Sequence, residues 1–344
     1  MEEIRDHSPV TPKPGMARRR AITTSPDGLV RMRLLHPNGS LLVIGPNTSG
    51  LDLAEWNRST SPLIEDLLLK HGALLFRGFD LGDVERFERF ALTLCSELFN
   101  ENGEHPRQSL GNSVYTPVFY PPEQFLLWHN ENSFNLHWPR KIFFGCVEPA
   151  ATGGETPVVD SRKVYEQIEP GIRERFESKG VMYVRNYGRG LGLDWTTVFR
   201  TTNRKEVEAQ CEREGLVCEW KDEDRLRTRC VRPAVVRHPQ TGEPVWFTQA
   251  QHWHISCLDS ATREAIQDLF SEPDWPRHCY YGDGSAIADS EMESILGVYA
   301  QLEQSFPWER GDVLVVDNLL MAHARKPYTG TRKLLVTMGE MGSF

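Results

Sequence analysis

Hydrophobic positions change their spacing several times along the chain, and each change predicts an element. Val84, Phe87, Phe90, Ala91 and Leu94 recur at three- and four-residue intervals, the single apolar stripe of an amphipathic helix. Upstream, Ser61-Pro62 predicts the N-cap and first position of a helix that Gly72 closes. Residues 73–76 then form a short apolar run of strand type. Further strand-like runs occupy 124–128, 142–147, 181–184, 234–237, 244–247, 313–316 and 332–338. Between two of them, His238-Pro239-Gln240-Thr241-Gly242 reads as a hairpin turn. Short strands with turn punctuation and no regular βαβ rhythm predict a closed or double-sheet β core, with the two helices covering the outside of a sheet. Residues 185–230 carry dense charge, a capped helix near 203–215 and little strand pattern, which predicts an insertion or lid over that core.

The ends and the composition narrow the class. Pro9, Pro12 and Pro14 predict a flexible arm over residues 1–20, with Met16 as an alternative start, ahead of a single domain over 21–344. Arg18, Arg19 and Arg20 precede no apolar segment, and Glu2, Glu3 and Asp6 do not suit a transit peptide. No apolar run approaches the ~18 residues of a membrane helix. Lys and Arg number 39 against 48 Asp and Glu, a net charge of -9, which leaves no basic footprint for a nucleic acid and speaks against a demethylase acting on one. The seven cysteines are widely spaced with no CxxC pair, so a reducing cytoplasm is the expected location.

Candidate chemistry lies among the 11 histidines. His129-Asn130-Glu131 falls in the strand-like run 125–133, where residues two apart share a face. With 48 acidic residues in 344, chance alone supplies about 1.5 such His-x-carboxylate pairs, so a plain His-Glu surface pair is the simpler reading of this motif by itself. Context changes that. His323 follows the apolar run 313–316 and Asp317-Asn318, and nine residues later comes Arg332. Two histidines and one carboxylate on one face of an ion, with the other face open, suit non-haem Fe(II). A planar guanidinium beyond the distal histidine suits a bidentate grip on the remote carboxylate of 2-oxoglutarate. Arg325, at the same parity as His323, is the rival for that role. Other polar residues have plainer readings: His252-Trp253-His254 lacks a companion carboxylate, His137 reads as packed or capping, and Arg185 as solvated or paired. Trp128 and Phe125 read as core, and Glu155 as a surface residue of its turn.

Four stretches in order carry a resemblance: Gly72-Ala73-Leu74-Leu75-Phe76-Arg77-Gly78-Phe79, Trp128-His129-Asn130-Glu131, Gly153-Gly154-Glu155-Thr156-Pro157, and Gly311-Asp312 through Arg332. With Val184-Arg185-Asn186-Tyr187, Arg237-His238-Pro239, Trp246-Phe247 and Tyr281-Gly282-Asp283-Gly284 between them, the chain resembles the taurine dioxygenase (TauD/TfdA) superfamily over roughly 20–340, most closely its SyrP-like branch. The resemblance implies a mainly β fold with flanking helices and a double-stranded β-helix (jelly-roll) core. It implies His129, Glu131 and His323 as ligands of Fe(II), and Thr156 and Arg332 as the holders of the co-substrate 2-oxoglutarate, with O2 as oxidant. The implied reaction is hydroxylation of an unactivated C–H bond of an amino acid or amino-acid-derived small molecule in specialised metabolism, with desaturation as the variant outcome. The substrate is expected either free or presented on a peptidyl carrier protein, for which Lys205, Arg213, Arg225, Arg227 and Arg229 offer a basic patch. Glu131 fills the position that a halogenase leaves to chloride, so no halogenation is expected. A jelly-roll binding protein without turnover, or an oxygenase of another carboxylate or sulfonate, is the alternative. Where the SyrP-like branch has Asn after Trp-Phe this chain has Thr248, a departure close enough to the motifs to raise the question of the pocket.

Overall fold

Alternation along the strands decides the layers. Ala73–Phe76 pairs antiparallel with Val313–Asp317, Val313 opposite Phe76 and Val315 opposite Leu74. Leu74, Phe76, Val313 and Val315 therefore face one side and pack beneath two helices, Leu53–His71 and Val84–Ala91. Ala73, Leu75, Leu314 and Val316 face the other side and join an inner core with Ile142, Phe144, Val336 and Met338. The computed structural model describes residues 22–99, 109–111, 113–188 and 194–344; the arm expected over 1–20 lies outside them.

These strands belong to a nine-stranded sheet in the order Thr23–Thr24, Val30–Leu34, Leu42–Pro46, Ala73–Phe76, Val313–Asp317, His137–Glu148, Lys333–Ser343, Val114–Tyr115, Ser109–Gly111. Every neighbouring pair is antiparallel except Leu42–Pro46 with Ala73–Phe76. A three-stranded sheet, Val158–Asp160, Met321–Arg325 and Leu126–His129, contributes Val158 and Met321 to the inner core opposite it. The far side of the small sheet packs Trp128, Val159, Ala322 and Ala324 against a second helical layer that includes Asp289–Leu302. The mainly β, jelly-roll expectation with flanking helices holds.

Two local expectations are corrected. The first helix begins at Leu53, capped by Asp52, which accepts from the Glu55 N–H at 3.0 Å, so Pro62 sits inside it rather than at its start. Proline in a helix interior costs about 3 kcal/mol. Here Pro62 is exposed, so water can reach the carbonyl it leaves without a donor, and the buried stripe of Leu53, Trp56, Ile64 and Leu68 outweighs the cost. Gly72 ends the helix as expected, with φ 71° and its N–H donating to the Leu68 carbonyl at 2.6 Å. The second correction concerns 185–230, where the sequence shows little strand pattern. Val217–Trp220 and Leu226–Arg232 are strands, and with Val181–Tyr187 and Arg277–Tyr281 they form a four-stranded sheet. Arg227 and Arg229 alternate through the first part of Leu226–Arg232 and hide its strand character from a hydrophobic count, while Leu226, Thr228 and Cys230 are buried on the other parity. The helix expected near 203–215 is present as Arg204–Arg213, capped by Asn203.

Candidate functional site

Pairing in the small sheet builds half of the site. His129 ends Leu126–His129 and stands directly opposite His323 of Met321–Arg325, so both side chains leave the same face. Their ring centroids lie 4.3 Å apart. The His129 Nδ1–H donates to the Leu127 carbonyl at 2.9 Å, and since a carbonyl can only accept, this bond fixes the tautomer and leaves Nε2 as the lone-pair donor. Glu131 completes the set: its Oε2 lies 3.5 Å from His129 Nε2 and 3.8 Å from His323 Nε2. The candidate ligand atoms of all three residues lie within 4.8 Å of one another, a donor set that fits one divalent ion with part of its surface left open.

Glu131 does not reach this position by strand alternation. The strand stops at His129 and Glu131 lies in the following turn, where Asn132 takes φ 57°. The strand-like run expected over 125–133 thus ends at His129, and His129 and Glu131 meet through a turn rather than on a shared strand face.

The cluster opens on a cavity of about 1020 Å³ between the two sheets. Its walls are largely apolar, with Ile142, Phe144, Leu334 and Val336 from the large sheet, and Thr156 and Arg332 also border it. Arg332 donates through Nε to the Gly154 carbonyl at 2.8 Å and through Nη2 to Thr156 Oγ1 at 3.3 Å. Burial, and then the nearby charge of Arg325, push its pKa down to about 10, still well above neutrality. Among the described residues no carboxylate forms an ion pair with it, so the cavity holds a desolvated cation that an incoming anion would satisfy. Thr156 Oγ1 also accepts from Trp308 Nε1 at 3.2 Å. With two donors filling its lone pairs, the hydroxyl proton remains for a third group. Trp308 was not singled out from the sequence, because a lone Trp in a Pro-Trp-Glu loop carries no spacing signal.

Arg325 is otherwise engaged. Its guanidinium donates to the carbonyls of Tyr120 at 2.9 Å, Pro121 at 2.6 Å and Gln124 at 2.6 Å, and lies over the rings of Tyr120 and Tyr328. It ties the segment forming one cavity wall to the strand of His323.

The remaining candidates fall into supporting or unrelated places. His252 and His254 flank Trp253 on and just beyond the short helix Ala250–Trp253, not on a strand. His252 Nε2 donates to the Leu127 carbonyl at 2.9 Å and the ring lies 4.7 Å from that of His129. Burial, then the proximity of His129, hold its pKa well below the ordinary value, so it is neutral support for the strand that carries His129. His254 Nε2 donates to the Ile287 carbonyl at 3.0 Å, away from the cluster. His137 is exposed at the start of its strand, against the expectation of a packed or capping residue. Arg185 lies over the Tyr187 ring, and Glu155 is half-buried in its turn. Trp128 is core, stacked on Tyr299 with Phe125 edge-on. Thr248 does not line the cavity: its hydroxyl pairs with Tyr183 OH at 2.7 Å and accepts from the Ala250 N–H at 3.1 Å, so the departure at this position serves the helix start. Of the basic patch, Arg225 pairs with Asp222, while Arg227 and Arg229 approach Glu219 and Arg227 also Asp274. Among the described residues no helix is long and apolar enough to cross a membrane.

Comparison with known proteins agrees with this arrangement. The sequence profile described as "Taurine catabolism dioxygenase TauD, TfdA family" matches residues 33–338. The dapdiamide synthesis protein DdaC of Enterobacter agglomerans is 36% identical over 276 residues, covering 80% of this chain and 84% of that protein. A clavaminate synthase-like protein of Arabidopsis thaliana is 29% identical, covering 80% and 83%. Among solved structures, the PvcB protein of Pseudomonas aeruginosa superimposes with a TM-score of 0.54 at 16% identity, covering 91% of each chain. A taurine dioxygenase of Burkholderia xenovorans gives 0.54 at 18% identity, over 90% of this chain and 89% of that one. On its profile match and its likeness to DdaC, the chain belongs to the taurine dioxygenase TauD/TfdA family of Fe(II)/2-oxoglutarate-dependent oxygenases.

Proposed function

We propose that this protein uses Fe(II) and 2-oxoglutarate to hydroxylate an unactivated C–H bond of an amino acid or an amino-acid-derived small molecule. The observation that carries the reading is the convergence of His129, Glu131 and His323 in a cavity that also holds Arg332 and Thr156. In this reading the three residues hold iron, and the Arg332 guanidinium with the Thr156 hydroxyl takes the remote carboxylate of 2-oxoglutarate. Bound iron supplies the activation of O2, coupled to decarboxylation of 2-oxoglutarate to succinate. The protein's own work is steric and electrostatic: Leu127 fixes the His129 tautomer, the Trp308 indole turns the Thr156 proton outward, and the apolar walls exclude water from the reacting carbon.

The likeness to DdaC, a dapdiamide synthesis protein, supports an amino-acid-derived substrate. Because Arg225, Arg227 and Arg229 have acidic neighbours in their own region, the free substrate is placed ahead of a carrier-bound one. Glu131 occupies the ligand position a halide would need, so the product gains oxygen and no chlorine.

The test begins with anaerobic addition of Fe(II) and 2-oxoglutarate, expected to give a visible charge-transfer band in the wild type and none in His323→Ala. A panel of free and carrier-loaded amino acids is then assayed for succinate release and for a product heavier by one oxygen atom. An undiminished band in His323→Ala removes that residue from the site, and a product with a chlorine isotope pattern contradicts the ligand set. Loss of two hydrogens in place of oxygen gain would make the enzyme a desaturase.

A further inference from the structure

Glu131 arrives at the cluster although the strand carrying His129 has already ended, so something other than sheet pairing must hold it. We propose that Asn318 is the positioning residue that sets the Glu131 carboxylate in the metal site, an inference that rests on the reading of that site given above. The Asn318 side chain grips the Glu131 peptide from both sides: Oδ1 accepts from the Glu131 N–H at 2.7 Å and Nδ2 donates to the Glu131 carbonyl at 2.9 Å. Its second Nδ2 proton goes to the Pro139 carbonyl at 2.8 Å. The amide orientation is unambiguous, since an N–H can only donate and the two carbonyls can only accept. The grip is reciprocal, because the Asn130 side chain donates to the Asn318 backbone carbonyl at 2.7 Å and to Ser161 Oγ at 3.2 Å. Asn130 and Asn318 are both fully buried, where an unmet amide costs free energy; every polar atom of the Asn318 side chain is met, whereas Asn130 Oδ1 has no partner among the described residues, so the single satisfactory arrangement is that of Asn318.

Asn318 thus imitates a neighbouring strand for one residue, offering a donor and an acceptor at the spacing a peptide unit requires. Its own position is fixed by the crossing between the two sheets. The Asn318 N–H donates to the Arg140 carbonyl at 2.9 Å, and Asp317 Oδ1 accepts from the N–H groups of Leu319 and Leu320 at 2.9 and 3.0 Å. This corner leads within five residues to His323, so one turn sets both the distal histidine and the carboxylate. Asn318 does not border the cavity and acts only through Glu131.

The test uses the full chain freed of metal by chelation and titrated with Co(II), following the visible absorption of the bound ion. Asn318→Ala is expected to bind Co(II) about 10- to 100-fold more weakly than the wild type, the range for loss of a group that orients a ligand. Its Co(II) spectrum is expected to shift toward that of Glu131→Ala. Added to Glu131→Ala, the same substitution is expected to cause no further loss. A folded Asn318→Ala with wild-type affinity and spectrum overturns the proposal, as does an equal loss in the Glu131→Ala background, which would assign the effect to the fold at large. If Asn318→Ala does not fold, Asn318→Asp keeps the size and the acceptor but cannot make both donations, and it must weaken Co(II) in the same direction or the proposal falls. A wild type that binds no Co(II) would instead defeat the reading of the metal site itself.

Discussion

At the residue scale, two arginines near one tyrosine have opposite employment. Arg332 and Arg325 both lie near the Tyr328 ring, yet Arg325 is bound to three backbone carbonyls while Arg332 keeps donor capacity beside Thr156. Arg332→Leu is therefore expected to weaken 2-oxoglutarate binding about 10- to 150-fold, from the ~1.5 to 3 kcal/mol of a hydrogen bond to a charged group, with little effect on metal affinity. Titration of 2-oxoglutarate into the metal-loaded protein measures both. A greater loss in Arg325→Leu than in Arg332→Leu would reverse the assignment. The five residues proposed for metal and co-substrate were all legible in the sequence, because motif order survives without coordinates. The groups that orient them were not: Asn318, Trp308 and Gln249, which donates to the Asn130 carbonyl at 2.8 Å, reach their partners across long stretches of chain, and no local pattern marks such a bond.

Strands, helices and turns show where local rules prevail and where they yield. Buried strands with apolar runs, such as 73–76 and 313–316, were legible because their hydrophobicity is continuous. The early start of the first helix was hidden by Pro62, a strong local signal that burial of a whole apolar face overrides. At the Gly153-Gly154 turn the backbone itself requires glycine. Gly153 has φ 68°, and a Cβ there would stand 2.1 Å from the Pro327 carbonyl oxygen. Gly154 has φ 74°, and a Cβ would meet Arg332 Cδ at 3.0 Å. Gly153→Ala is expected to lower stability by more than the ~1 kcal/mol of an ordinary left-handed strain. Gly154→Ala is expected to displace Arg332 and weaken 2-oxoglutarate more than it lowers the unfolding midpoint. Urea unfolding and co-substrate titration on the two variants separate these effects, and equal behaviour of both would remove the turn from the co-substrate site.

For the molecule as a whole, acid should be more damaging than the net charge suggests. Burial, and then the neighbouring ring of His254, lower His278 from the usual 6.5 to about 3, and burial lowers His254 as well. The unfolded chain takes up these protons first, so the stability from keeping the His278 ring neutral is present above pH 6.5 and is lost as pH falls toward 3, with His254 acting in the same direction. Over that window the His278 ring contributes a slope of up to about 1.4 kcal/mol per pH unit. Urea midpoints measured across it are expected to fall, and His278→Phe is expected to flatten the fall if the variant folds. An unaltered slope in a folded His278→Phe would place the acid sensitivity elsewhere.

His129 and His323 are partners across two adjacent strands, but nearly two hundred residues of chain run between them. An ion held by both is then a cross-link, closing a loop long enough that a covalent bond in its place would remove about 5 kcal/mol of unfolded-chain entropy. The reversible version is governed by mass action, about 2.7 kcal/mol when free metal stands at a hundred times its dissociation constant. Chelation is therefore expected to lower the thermal midpoint and to hasten unfolding, with Co(II) restoring both. His323→Ala should be indifferent to chelator. The same ion that serves chemistry would act as a rivet between the late and middle parts of the chain, and an apo protein as stable as the loaded one would show that the rivet carries no strain.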